Sequence, residues 1–147
     1  MKTVVVVGGG RNVGKTTLAT ALGCCLSGSV VVKIGTHPPK EGKPPFLFPY
    51  GTRYEEIVNA VGECRYLVIE SGGILDDPDC EPELVIFLPT PDPRLDKPGS
   101  VRRRARADLV RGESVSSNRA RELAHRLGVA DEVFSDVLKA AGVSTSP

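Results

Sequence analysis

Four stretches of the chain are apolar with little or no polar alternation: Lys2 to Val7, Ser29 to Gly35, Tyr66 to Glu70 and Glu83 to Pro89. Strands buried on both faces of a parallel sheet read this way, because neither face meets water. Lys15 to Leu26 instead carries Leu18, Ala19, Leu22 and Leu26 at spacings of three and four, which predicts a helix directly after the first strand. Further helices are predicted from Arg53 to Val61, from Ser116 or Ser117 to Leu127 with Ala120, Leu123, Ala124 and Leu127 on one stripe, and from Asp131 to Ala141. Ala107 to Val110 is a short fifth strand. Residues 37–52, with five prolines at 38, 39, 44, 45 and 49, and the proline- and arginine-rich residues 89–106 are predicted as long loops. Strands alternating with helices predict an α/β three-layer domain with a mainly parallel sheet, and 147 residues suit one such domain.

The chain carries 19 basic and 18 acidic side chains, net +1, which excludes a uniformly basic nucleic-acid binder and an acidic disordered tail. The charge is segmental: residues 70–93 hold 7 acids and no base, and residues 94–126 hold 10 bases and 4 acids. Either two surface regions of opposite sign steer a ligand or partner, or both are solvated loops. No apolar run approaches a membrane span and no secretory signal is visible. Cys24, Cys25, Cys64 and Cys80 show no C-x-x-C spacing, so reduced thiols in a cytoplasmic protein are expected.

One motif carries chemistry. Gly9-Gly10-Arg11-Asn12-Val13-Gly14-Lys15-Thr16 fits G-x-x-x-x-G-K-[ST], and it lies between a buried strand and a helix start. Glycines let successive backbone N–H groups approach phosphate oxygens at a helix N-terminus, where the dipole favours an anion. Lys15 at that position makes sense only if an anion is bound, since the dipole alone disfavours a cation there. Residues Gly9 through Thr17 are therefore the predicted phosphate cradle, Lys15 a charge for the β- and γ-phosphates, and the Thr16 hydroxyl a magnesium ligand. The fold expectation sharpens to a P-loop NTPase domain, and the ligand to a nucleoside triphosphate with magnesium.

A P-loop protein needs an acid at the end of a neighbouring strand to hold the magnesium or its water. Glu70, closing Tyr66-Leu67-Val68-Ile69, is the candidate, and the alternative is a solvated strand end. Lys33, a charge inside an apolar strand, either pairs with a carboxylate or reaches an anion at the strand's C-terminal edge. His37 follows that edge and either lines the site or stays exposed. Arg102, Arg103, Arg104 and Arg106 either cover phosphates, dock an acidic partner or sit on a solvated loop.

In order, VVVVGGGRNVGKTTL, VKIGTH and LVIESGG in a short chain resemble the molybdopterin-guanine dinucleotide biosynthesis adapters, the MobB-like P-loop proteins. The resemblance covers about residues 2–90, with the P-loop its specific part. It implies a GTP-binding, commonly dimeric protein that assists the cofactor-biosynthesis enzyme attaching a nucleotide to molybdopterin. Gly9 to Thr17 would hold phosphates, Thr16 and Glu70 magnesium, and Lys33 and His37 would line the site. The Asn-Lys-x-Asp sequence that commonly reads guanine is lacking after Ala107 to Val110, where Arg111-Gly112-Glu113 stands, so GTP and ATP both remain open. Val13-Gly14-Lys15-Thr16, a lysine on the second strand and Glu70-Ser71-Gly72-Gly73 are also similar to dethiobiotin synthetase, which implies an ATP-dependent ligase; a small-molecule kinase with the basic segment as lid is a third reading.

Overall fold

The structure, a computed structural model, describes residues 1–10, 13–35 and 46–147. Lys2–Gly8 forms β1, Ser29–Ile34 β2, Phe46–Phe48 β3, Tyr66–Glu70 β4, Leu84–Leu88 β5 and Leu109–Val110 β6. They make one six-stranded sheet in the order β3-β2-β4-β1-β5-β6, with every described pairing parallel. The helices are α1 (Lys15–Cys25), α2 (Tyr54–Val61), α3 (Ser100–Ala105), α4 (Ser117–Leu127) and α5 (Asp131–Ala141). A two-stranded parallel ribbon, β7 (Ser114–Ser116) and β8 (Ser144–Ser146), closes the C-terminal end.

The valine run of β1 is fully buried, Val4 to Val7 each at 0% exposure, because the strand is central and covered on both faces. Val4 and Val6 join the core beneath α1, α4 and α5, and Val5 and Val7 join the opposite core with Ile57 of α2 and the 3₁₀ turn Gly73–Asp76. That is the period-two alternation of a strand serving two layers. The chain moves across the sheet one way over the α1 face, from β1 to β2, and the other way over the α2 face, from β3 to β4. Opposite directions on opposite faces give these crossovers one hand, as parallel sheets demand.

Predicted and observed elements agree for β1, β2, β4, β5, α1, α2, α4 and α5 to within one or two residues. Of the two serines offered as the cap of α4, Ser116 takes the position, its hydroxyl accepting from the Arg119 N–H at 3.1 Å. The predicted loop 37–52 is not all loop: Phe46–Phe48 pairs with β2 at the sheet edge, where nearby prolines cost no ladder bond, and residues 36–45 lie outside the described residues. The predicted loop 89–106 contains a 3₁₀ turn at Pro93–Leu95 and all of α3. The fifth predicted strand shortens to Leu109–Val110, since the Asp108 carboxylate accepts from the Val85 N–H at 2.8 Å and Arg119 and Arg126 reach its other oxygen. The ribbon β7–β8 went unpredicted, its partners lying thirty residues apart with serine at four of six positions.

Candidate functional site

Because the sheet is parallel, the C-terminal ends of its strands share one edge, and the loops that follow them meet there. Register does the fine placement. Lys33 of β2 stands beside Glu70 of β4, and Glu70 stands beside Val6 of β1, three residues before Gly9 and the glycine loop. The Lys33 ammonium lies 3.8 Å from a Glu70 carboxylate oxygen. From the other side, the Thr16 hydroxyl on the first turn of α1 donates to the same carboxylate, 2.9 and 3.0 Å from its two oxygens. Glu70 is 5% exposed, so it is no solvated strand end: it is a buried carboxylate held by a hydroxyl and an ammonium.

Gly14 carries φ +92°, a left-handed conformation that glycine adopts without strain and other residues resist, and it turns the chain into α1. No side chain caps this helix and its first turn has no acid, which leaves its leading amides for an external acceptor. Burial lowers the pKa of Lys15, and the positive charges of Lys97, Lys33 and Arg103 push it further down, against Glu70. Lys97, Lys33 and Arg103 thus stand near enough to act on Lys15, Lys33 pairs with Glu70, and Asp96 is a second acid where the loop after β5 passes Gly9.

Of the predicted site residues, the structure brings together Lys15, Thr16, Lys33 and Glu70. Gly9, Gly10, Val13 and Gly14 form the described part of the glycine loop, and Thr17 lies on the exposed first turn of α1. Arg11, Asn12 and His37 lie outside the described residues. Asp77 accepts from the Tyr54 and Asp79 N–H groups, capping α2, and Asp76 pairs with Arg102 at 3.2 Å, so both neighbouring acids have structural partners.

Three contributors were not legible beforehand. The Lys97 N–H donates to the Gly9 carbonyl at 2.7 Å, which seats residues 89–100 on the glycine loop. Arg111, immediately after β6, donates to the Val13 carbonyl at 3.0 Å and to the Ala141 carbonyl at 3.1 Å, tying the loop to the C-terminus of α5. A cation there also meets the favourable end of that helix dipole. Arg103 was visible only as one of four arginines. Nothing in spacing marks these residues, because Lys97 and Arg111 reach the glycine loop, and Arg103 the turn at Gly72, from segments distant in sequence.

Two oxygen donors, Thr16 and Glu70, lie side by side, and no cluster of three His, Cys, Asp or Glu side chains exists among the described residues. A donor pair of this kind suits magnesium, which takes one or two protein oxygens and completes its shell with phosphate and water. No helix among the described residues is long and apolar enough to cross a membrane. Comparison with protein-family models, curated proteins and solved structures finds no match.

Proposed function

We propose that this chain has the P-loop NTPase fold and binds a nucleoside triphosphate with magnesium, GTP ahead of ATP, hydrolysing it weakly or only with a partner. In this reading it is an adapter to the enzyme that attaches a nucleotide during molybdenum cofactor biosynthesis. The observation that carries nucleotide binding is the meeting of Lys15, Thr16, Lys33 and Glu70 at the sheet edge, beside an uncapped helix N-terminus. The adapter role rests on the resemblance of the three strand-end motifs.

The amides of Gly10 and of Val13 to Thr17 would face the phosphates, with Lys15 as a partly desolvated point charge. A phosphate beside Lys15 favours its charged form and so opposes the lowering that burial imposes. Thr16 and Glu70 would hold the magnesium, which when bound neutralises phosphate charge. Lys33 pairs with Glu70 on the side opposite Thr16, so the carboxylate is held between an ammonium and a hydroxyl.

One observation favours a second reading, an ATP-dependent ligase or kinase similar to dethiobiotin synthetase. A cleft of about 430 Å³ opens beside the turn after Glu70, lined by Ser71, Gly73, Tyr50 and Arg53, and it has room for a small acceptor. Calorimetric titration with GTP and then ATP, each with and without magnesium, separates the two. Magnesium-dependent GTP preference supports the adapter, and ATP preference with turnover of a small acceptor supports the ligase or kinase. No heat with either nucleotide refutes both.

A further inference from the structure

Residues 89–106 are bound to the glycine loop at a defined point. Beyond the Lys97 to Gly9 bond, the buried Ser100 hydroxyl donates to the Lys97 carbonyl at 2.5 Å and lies 3.4 Å from the Gly9 carbonyl. Ser100 opens α3, and residues three apart on a helix share a face, so the side that meets the glycine loop at Ser100 also presents Arg103.

The four arginines of this segment divide accordingly. Arg102 pairs with Asp76, Arg104 with Glu113 at 2.6 Å and with the face of Phe87, and Arg106 donates to the Leu75 carbonyl. Arg103 turns inward. Its guanidinium lies against Gly72, two residues beyond Glu70, so closely that a Cβ there would stand 2.9 Å from Nη1. Its Nε is buried and finds no hydrogen-bond partner among the described residues. The side chain as a whole is partly exposed, but a buried N–H donor without an acceptor is costly, and such a group marks a position open to an acceptor from outside the chain.

We infer that Arg103 recognises the terminal phosphate of the bound nucleoside triphosphate, supplied from within the same chain by a segment already clamped to the glycine loop. The inference rests on the nucleotide-binding reading above and deepens it. Lys15 stands against Gly8 at the end of β1, where it would grip any nucleotide, whereas Arg103 stands beside the Glu70-Ser71-Gly72 turn. Arg103 therefore discriminates triphosphate from diphosphate, and its contact is of the charge-assisted, planar kind a lysine reproduces only in part.

The test is binding of GTP, GDP, ATP and ADP, with magnesium, to the full chain and to Arg103→Ala, Arg103→Lys, Arg103→Gln, Lys15→Ala and Arg102→Ala. With whichever base binds, Arg103→Ala is expected to lose about tenfold or more in triphosphate affinity, as for a lost charged hydrogen bond, and to leave diphosphate affinity nearly unchanged. Arg103→Lys should recover part of the loss, Lys15→Ala should weaken both forms, and Arg102→Ala neither. Equal losses for tri- and diphosphate in Arg103→Ala, or none, overturn the inference while leaving nucleotide binding in place. Absence of binding by the unaltered protein overturns both together. If Arg103→Ala fails to fold, Arg103→Gln, which keeps the aliphatic stem and a neutral donor, must show the same triphosphate-selective loss or the inference falls.

Discussion

Glu70 shows what one side chain inherits from its neighbours. It closes an apolar strand, is 5% exposed, and is bonded on one side by Thr16 and on the other by Lys33. Glu70→Gln keeps the shape and the hydrogen bond from Thr16 but removes the charge. It should weaken the magnesium dependence of triphosphate binding about tenfold while the circular dichroism spectrum and melting temperature stay close to those of the parent, since one polar group replaces another. An unaltered magnesium titration would take the metal role away from Glu70, and Asp76 and Asp77 are poor substitutes because each already holds a structural partner. The residue types of the site were legible: glycine, lysine, threonine and glutamate at strand ends carry their chemistry in their spacing. Arg103, Arg111 and Lys97 were not, because an arginine or lysine in a basic segment has no local mark of the carbonyl or turn it will meet.

At the scale of elements, hydrophobic period sufficed wherever an element buries a whole strand or one continuous face, as in β1, β4 and α5. It failed for β3, α3 and the β7–β8 ribbon, which are short and polar or exposed. The start of α2 illustrates a cap borrowed from elsewhere: Arg53 offers no capping side chain, and Asp77 accepts from the Tyr54 N–H at 2.8 Å and the Asp79 N–H at 2.9 Å. These two bonds hold the Asp77 carboxyl below its usual value of 3.8. A folded-state pKa below the unfolded one contributes stability that is present above the unfolded value and lost as the pH falls through the folded value. The melting temperature of Asp77→Asn should therefore trail that of the parent by a constant gap above about pH 5, and the gap should shrink as the pH falls below the usual 3.8 toward the lowered folded-state value. A gap that persists at the acid end would assign the effect to side-chain geometry instead of charge.

For the whole molecule, the two cores are separated by the sheet yet share its strands, since Val4 and Val6 serve one and Val5 and Val7 the other. Neither can lose its packing while β1, β4 and β5 stay intact for the other. Heating should accordingly give one calorimetric transition with calorimetric and van't Hoff enthalpies in a ratio of about one. Two resolved transitions would mean that the α4–α5 side melts by itself. The acidic and basic blocks also take a different meaning in three dimensions. Arg102 reaches Asp76 and Arg106 reaches the Leu75 carbonyl, so the blocks partly satisfy each other within the chain and are not simply two free surfaces of opposite sign.

By itself the sequence determined the layer plan and the phosphate-cradle candidate, because both are local: a strand buried on two faces must be apolar throughout, and a glycine loop before a helix must carry its lysine and threonine in fixed positions. Only the tertiary structure decided which charges converge. Parallel register set Lys33 beside Glu70, the turn of α1 brought Thr16 onto the same carboxylate, and the clamp between Lys97 and Gly9 turned Arg103 inward from a run of arginines. Electrostatic and hydrogen-bonding partners depend on distances of a few ångströms between residues tens of positions apart, and no pattern along the chain encodes those distances.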